Sequence, residues 1–247
     1  MKISKSIAKR VVRDPLPVLT SLRFFAAFAV VIFHYGHKDE VFPFYYSFLN
    51  GFSSAGYQAV TFFFVLSGFI LTYVYSGARE VDYLAVDLHT FIKARIGRIA
   101  PGYFLALGLA VPFFLYGAFI ASTVPLDIFI PGIFLVPAFL QAWYPPTAVA
   151  WNVPAWSLSV EMLFYISFPL ILRFGQKCSC NKFLFLSFLM VTSTAVVRHV
   201  IEPDANVGFN STYYNFYYYF PLFHLPTFVF GMALGRVYLF GKSYSSR

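Results

Sequence analysis

Residues 57–77 read YQAVTFFFVLSGFILTYVYSG, a stretch without a single charged side chain. A helix of about 20 apolar residues crosses the hydrocarbon core of a bilayer, so this stretch is long enough to span a membrane. Five more apolar stretches of spanning length lie at 18–36, 100–121, 155–172, 183–200 and 216–240. The sequence therefore predicts an all-α integral membrane protein, a polytopic helical bundle of about six spans.

The composition excludes a soluble domain. The 247 residues are 59% hydrophobic, 22% aromatic and only 11% charged, against about 25% charged in globular proteins, so ionic groups are too few to cover a water-facing surface. The net charge of +8 lies between the apolar stretches; it indicates orientation in a lipid bilayer and predicts no nucleic-acid partner. Cys178 and Cys180 lie in a lysine-flanked loop that we place in the cytoplasm, where we expect neither a disulfide nor a metal site.

Positive charge predicts the orientation, because lysine and arginine are enriched in cytoplasmic loops. Basic residues cluster in 1–17, 78–99, 173–182 and 241–247, whereas 37–56 and 201–215 carry acidic side chains. This alternation holds only if the apolar run 126–143 enters and leaves from the outer side. Pro125, Pro131 and Pro137 also argue against one uninterrupted helix there.

We therefore expect a cytoplasmic basic tail at 1–17, a membrane domain at 18–240 and a cytoplasmic tail at 241–247. The membrane domain would contain six spans and one re-entrant or interfacial segment. The expected location is the inner cell membrane, with a cytoplasmic N-terminus.

We place three ionisable side chains at membrane depth within the predicted spans: Arg23, His34 and Glu161. Such groups cost several kcal/mol at membrane depth unless paired or hydrated, so each is a candidate functional residue. The alternatives are that Arg23 reaches the inner headgroups, that Glu161 joins two helices, and that water or a carbonyl satisfies His34. Arg23 and His34 are eleven residues apart, which places them on one helix face, about 16 Å apart.

Lys93, Arg95 and Arg98 form a basic cluster just before the predicted span 100–121. Such a cluster commonly anchors a helix at the cytoplasmic surface. Arg95 and Arg98 are also three residues apart and share a helix face, where two guanidinium groups are suited to binding phosphates.

Four stretches occur in a fixed order: LTSLRFFAAFAVVIFH at 19–34, FFFVLSGFIL at 62–71, FIKARIGRIAPGY at 91–103 and WSLSVEMLFYISFPLIL at 156–172. Together they resemble the membrane acyltransferase type 3 family, which includes bacterial O-acetylases of surface carbohydrates. A weaker fifth match, LPTFVFGMALG at 225–235, has His224 and Thr227 where the family often has arginine and glutamate. Family members usually contain more spans, so we expect this chain to lack the last few helices.

The resemblance implies a multipass O-acyltransferase that moves an acyl group, most often acetyl, from a cytoplasmic acyl-CoA to a hydroxyl of a cell-surface or exported carbohydrate. It implies donor binding by Arg23, Arg95 and Arg98, and supports His34 as the base that takes the hydroxyl proton. Acetyl-CoA or another acyl-CoA would be a substrate, with no permanently bound cofactor.

From depth along the helices, we expect Glu161 to lie near His34 and to stabilise its protonated form. The other four histidines lack the family match, and we interpret them as interfacial or loop residues: His37, His89, His199 and His224. Ser157 and Ser159 would cap the helix or bond locally rather than act as nucleophiles, and Gly68 would permit close helix packing. Two other functional classes stay open: a transporter or channel, and an inactive relative with a scaffolding role.

Overall fold

The computed structural model describes residues 15–35, 56–76, 88–204, 206–208 and 211–245. Eight α-helices lie in these ranges: α1 Pro17–Tyr35, α2 Gly56–Tyr75, α3 Leu88–Phe119, α4 Leu126–Leu135, α5 Trp156–Lys177, α6 Cys180–Val200, α7 Thr212–Tyr219 and α8 Leu225–Ser245. Short 3-10 turns at Gln141–Trp143, Pro145–Thr147, Val153–Ala155 and Pro221–Phe223 connect some of them.

Six helical segments are long and apolar enough to cross a membrane, which confirms the predicted bundle. They are α1, α2, α3, α5 and α6, together with α7 and α8 as one segment. The ten residues of α4 reach only about 15 Å at 1.5 Å per residue, roughly half of a bilayer core.

The relative directions of α3 and α5 show that the chain between them does not cross. Phe91, near the start of α3, packs against Phe168 in the second half of α5, with ring centroids 5.5 Å apart. Tyr103, further along α3, belongs to the same hydrophobic cluster as Ala155, just before α5 begins. The two helices are therefore antiparallel, and residues 120–155, including α4, return to the end they left, as predicted for 126–143.

The remaining contacts define the directions of the other helices and so distinguish the two ends of the bundle. Trp156 and His224 lie near Phe64 of α2, and Phe168 lies near Tyr75, so α2, α5 and α8 run in parallel. We call the end where these three helices terminate the basic end, and the end where they begin the loop end. Helices α1, α3 and α6 run the opposite way.

Glycine brings α2 and α8 into backbone contact. A Cβ atom added to Gly68 would overlap the carbonyl oxygen of Phe228, and one added to Gly231 would overlap the carbonyl oxygen of Val65. Gly235 lies similarly close to the carbonyl oxygen of Phe69. Close backbone approach maximises van der Waals contact, which drives helix association in lipid, and the predicted packing role of Gly68 is confirmed.

A core of phenylalanine rings lies between α2, α5 and α8. Phe164 stacks on Phe228 at 4.4 Å and meets Phe64 edge-on at 5.1 Å. All three side chains are almost completely buried. Beside this core, Arg236 of α8 donates hydrogen bonds to the carbonyl oxygens of Gly175 and Cys178 at the end of α5, where a helix has carbonyls without intrahelical partners.

Two predicted boundaries were wrong. Helix α3 begins at Leu88, twelve residues before the predicted start of the span at residue 100, so Lys93, Arg95 and Arg98 belong to the same long helix. The span predicted at 216–240 is broken between α7 and α8 by the turn Pro221–Phe223, because proline cannot continue the hydrogen bonds of the preceding helix.

Several predictions fall on segments outside the described residues. These segments are the tail 1–14, most of loop 37–56, residues 78–87 and the last two residues. Their predicted sides of the membrane, and the reading of His37, stay predictions.

The glycine contact makes a testable prediction. Gly68→Ala and Gly231→Ala should each destabilise the protein by about 1–3 kcal/mol, because a methyl group would force two backbones apart. Thermal unfolding of the detergent-purified protein, followed by loss of the monodisperse peak in size-exclusion chromatography, measures this.

Gly97→Ala is the matched control, since a Cβ there meets nothing within 4 Å. It should unfold at the wild-type temperature or slightly above, as alanine favours helix over glycine. Equal melting temperatures for Gly68→Ala and Gly97→Ala would contradict the backbone contact.

Candidate active site

Glu161 and Tyr165 lie one turn apart on α5 and form a hydrogen-bonded pair. The Tyr165 hydroxyl donates to Oε2 of Glu161 at 2.9 Å. The Tyr165 ring packs edge-on against Phe91 of α3, with centroids 6.2 Å apart. The carboxylate therefore faces α3, in the half of the bundle that also holds the arginines of that helix.

Three arginines interact electrostatically with Glu161: Arg23 of α1, and Arg95 and Arg98 of α3. Arg23 also interacts with Arg98. The structure thus brings together Glu161 and all three predicted donor-binding residues. We call these four residues the arginine cluster.

Arg95 packs between two aromatic rings, those of Tyr75 and Phe91. One of its terminal nitrogens donates to the Tyr75 hydroxyl at 3.1 Å. Its guanidinium carbon lies 5.5 Å from the Tyr75 ring centroid and 5.4 Å from that of Phe91, within the range of cation–π attraction. Its Nε is buried without a hydrogen-bond partner, a donor that an added oxygen ligand would satisfy.

The cluster carries excess positive charge. Three arginines share the site with a single glutamate, so basic groups outnumber acidic groups, and in the described part of the chain no ion pair within 4 Å involves any of them. Arg98 is exposed in the isolated chain and Arg23 is half-buried. Because unpaired cations are costly at membrane depth, the arrangement is suited to binding a group with more than one negative charge.

His34 lies near the loop end of α1, on the helix face that Arg23 shares. Both residues are half-buried, whereas Phe24, Phe25 and Phe28 on other faces are more than half exposed. The His34 ring nitrogen Nδ1 lies 2.8 Å from the carbonyl oxygen of Val30. If Nδ1 donates this bond, Nε2 carries the lone pair that a base needs.

His34 and Glu161 are not in contact. Among the described residues, neither a hydrogen bond nor an ion pair joins them, and the charged neighbours of Glu161 are the arginines. The arginines of α3 come within electrostatic range of Glu161 because α3 begins at Leu88 and carries them into the bundle. A direct His34–Glu161 pair stays a prediction without contact in this structure.

Sequence reasoning missed His224 and Arg198. His224 lies in the turn between α7 and α8, as a loop residue would, but its side chain is buried. Its Nε2 donates to the carbonyl oxygen of Tyr218 at 3.0 Å. Arg198, at the end of α6, donates to the Tyr57 hydroxyl at 2.6 Å. The tyrosine-rich run YYNFYYYF at 213–220 could have indicated a site for arginine or histidine, because tyrosine offers both a ring face and a hydroxyl to these side chains.

The two serines of the fourth motif differ. Ser157 Oγ donates to the carbonyl oxygen of Pro154 at 3.0 Å, the local bond that we expected. Ser159 Oγ is buried and has no hydrogen-bond partner, so the expectation of a local bond was wrong for Ser159. Within the described ranges, no group of three metal-ligating side chains is present.

Comparison with known proteins identifies the family. A family model described as an acyltransferase domain matches residues 17–247. The chain is 37% identical over 187 residues to an acyltransferase, MdmB, of Streptomyces mycarofaciens, covering 70% of this chain and 43% of that protein. It is 37% identical over 115 residues to the exopolysaccharide production protein ExoZ of Rhizobium meliloti, covering 46% of this chain and 33% of that protein.

A third relative is the O-acetyltransferase OatA of Staphylococcus aureus, 26% identical over 206 residues, which cover 76% of this chain and 30% of that protein. The chain thus spans less than half the length of these relatives. No solved structure matches it significantly. From the family match over residues 17–247, together with the ordered motifs and the arginine cluster, the chain belongs to the acyltransferase family of multipass membrane proteins.

Proposed function

We propose that this protein transfers an acyl group, most often acetyl, from an acyl-CoA to a hydroxyl of a cell-surface or exported carbohydrate. The observation that carries the proposal is the arginine cluster, in which three arginines lie within electrostatic range of one glutamate inside the bundle. The names of two relatives, an O-acetyltransferase and an exopolysaccharide production protein, support an acetyl group and a carbohydrate acceptor.

The donor fits the cluster by charge and geometry. The phosphates of an acyl-CoA would supply the negative charge that the cluster lacks, and guanidinium groups form paired, charge-assisted hydrogen bonds with phosphate oxygens. Arg95 and Arg98 belong to the first turns of α3, and Arg23 to the first turns of α1, so all three are reached from the basic end. A donor entering there would extend its thioester toward the loop end.

His34 would act as the base. It would take the proton of the acceptor hydroxyl as that oxygen attacks the thioester carbonyl. The new ester bond forms, the bond from carbon to sulfur breaks, and the proton passes from the imidazolium to the leaving CoA thiolate. Glu161 would hold the arginines in place by charge and keep Tyr165 aligned.

Incubating the purified protein in lipid nanodiscs with labelled acetyl-CoA and extracted cell-surface glycans tests the proposal. Label on the glycan, bound through an ester that mild alkali removes, is the expected result. In a parallel assay with the protein in sealed vesicles, movement of substrate across the membrane without label on the glycan would favour a transporter. The absence of both results would favour a scaffolding role.

Arg98→Ala should raise the apparent KM for the donor by about tenfold or more, because it removes charge-assisted hydrogen bonds worth about 1.5–3 kcal/mol. The KM for the acceptor should change little. Initial rates over a range of both substrates measure the two constants.

Lys93→Ala is the matched control, since Lys93 is an exposed cation on the same helix and outside the arginine cluster. It should leave the donor KM near the wild-type value. An equal rise in both variants would indicate a general effect of positive charge at the basic end and contradict specific binding.

His34→Ala should lower kcat by about 10²- to 10⁴-fold, the usual contribution of a general base, with donor binding unchanged. The comparison is His199→Ala, which alters an 86% exposed side chain at the same end of the bundle and should retain activity. Unaltered kcat in His34→Ala would remove His34 as the base.

Glu161→Gln should reduce turnover less than His34→Ala and should also change the donor KM, because Glu161 is surrounded by the arginines. A fall in kcat at constant donor KM would instead favour the direct pairing of Glu161 with His34.

We further propose that the basic end faces the cytoplasm. Val153, 40% exposed at the loop end, can be changed to cysteine, whereas Thr147 is completely buried and would be a poor reporter. An impermeant maleimide should label Val153→Cys in intact cells and label Cys178 and Cys180 only after permeabilisation. The reverse pattern would contradict the orientation.

A further inference from the structure

A second arginine site, separate from the arginine cluster, lies at the loop end. The guanidinium carbon of Arg198 lies 4.7 Å from the ring centroid of Tyr217, 5.5 Å from that of Tyr57 and 6.0 Å from that of Tyr218. We call these four residues the Arg198 cluster. Three rings around one cation remove much of its water, which strengthens any contact with an anion.

The charge of Arg198 has no carboxylate partner in the described part of the chain. Glu202, four residues further on, lies 3.7 Å from His199 instead. One terminal nitrogen of Arg198 donates to the Tyr57 hydroxyl, and no other hydrogen bond from its guanidinium group to a described residue is present. Because a guanidinium group has five N–H donors, most of them remain for a ligand.

The break in the last span holds this cluster in place. Tyr217 and Tyr218 lie in the last turn of α7. His224 stabilises the turn that follows by donating a hydrogen bond to the carbonyl oxygen of Tyr218. The centroid of the His224 ring lies 5.3 Å from that of Trp156 and 5.2 Å from that of Phe64, so this ring packs in the core. Helices interrupted within a membrane commonly form substrate sites, and here the interruption presents two tyrosine rings to Arg198.

The Arg198 cluster adjoins the end of α1 that carries His34. Gly56 lies against the ring of Phe33, so closely that a Cβ atom would overlap it. The next residue along α2 is Tyr57, which binds Arg198, and the residue after Phe33 is His34. The proposed base and the Arg198 cluster are thus joined through one helix contact.

We propose that the Arg198 cluster binds the acceptor and that this acceptor is a sugar carrying a carboxylate. The inference rests on the proposed function. The guanidinium group would pair with the carboxylate, while the tyrosine rings, with apolar faces and polar edges, would contact the carbon-bound hydrogens and hydroxyls of the sugar. An arginine whose only role was to bind lipid headgroups would not need three tyrosine rings around its guanidinium group.

Binding measured without donor tests the inference independently of transfer. The probes are an oligosaccharide of glucuronic acid and the same oligosaccharide with its carboxyl groups reduced to alcohols, titrated into wild-type protein in nanodiscs of neutral lipid by calorimetry. The acidic probe should bind at least about tenfold more tightly, as expected for a charge-assisted pair.

Arg198→Ala should abolish this preference, and Arg198→Lys should retain part of it. Arg173→Ala, which removes one exposed cation at the other end, should keep it in full. If Arg198→Ala does not yield monodisperse protein, the affinities of wild-type protein and of Arg198→Lys for the two probes still test the inference.

Equal affinity of wild-type protein for the two probes, or an unchanged preference in Arg198→Ala, overturns the inference. So does loss of acidic-probe binding when the nanodiscs contain anionic lipid, which would assign Arg198 to headgroups. Tight binding of the acidic probe without any acyl transfer would leave this site standing and contradict the proposed function instead.

Discussion

The backbone contact between α2 and α8 is the constraint on which the rest of the structure depends. In lipid there is little hydrophobic force between helices, so close packing must supply the attraction, and Gly68 and Gly231 permit it. Helix α2 carries a tyrosine at each end of this contact. Tyr75 binds Arg95 at the basic end, and Tyr57 binds Arg198 at the loop end. One helix, held against α8, therefore aligns both arginine sites.

The two sites differ in how their charge is balanced. At the arginine cluster, three arginines share one glutamate, and this excess of basic groups is suited to a polyanion. At the loop end, aromatic rings surround a single cation, which is suited to a singly charged group. Under the proposed function, the donor would bind at the first site and the acceptor at the second, with His34 at the end of α1 as the proposed proton acceptor.

Sequence predicted most of the fold, because a span needs only length and apolarity, and those are local properties. Charge alternation likewise predicted that 126–143 does not cross. The break at Pro221 escaped notice because the residues on both sides are equally apolar. The arginines near Glu161 were not predicted as its neighbours, because their proximity depends on how α1, α3 and α5 pack together; the pairing of Glu161 with His34 stays a prediction. His224 and Arg198 depend on contacts between distant segments, which no local pattern contains.

The most direct measurement of transfer between the two ends uses sealed vesicles containing the protein. Labelled acetyl-CoA is enclosed in the lumen, the glycan acceptor is added only outside, and the vesicles are shown to be impermeable to both. Protein molecules whose basic end faces the lumen should then place label on the outer glycan. If the glycan is labelled only when donor and acceptor are on the same side of the membrane, the donor and acceptor sites cannot lie at opposite ends of the bundle, and the account is contradicted.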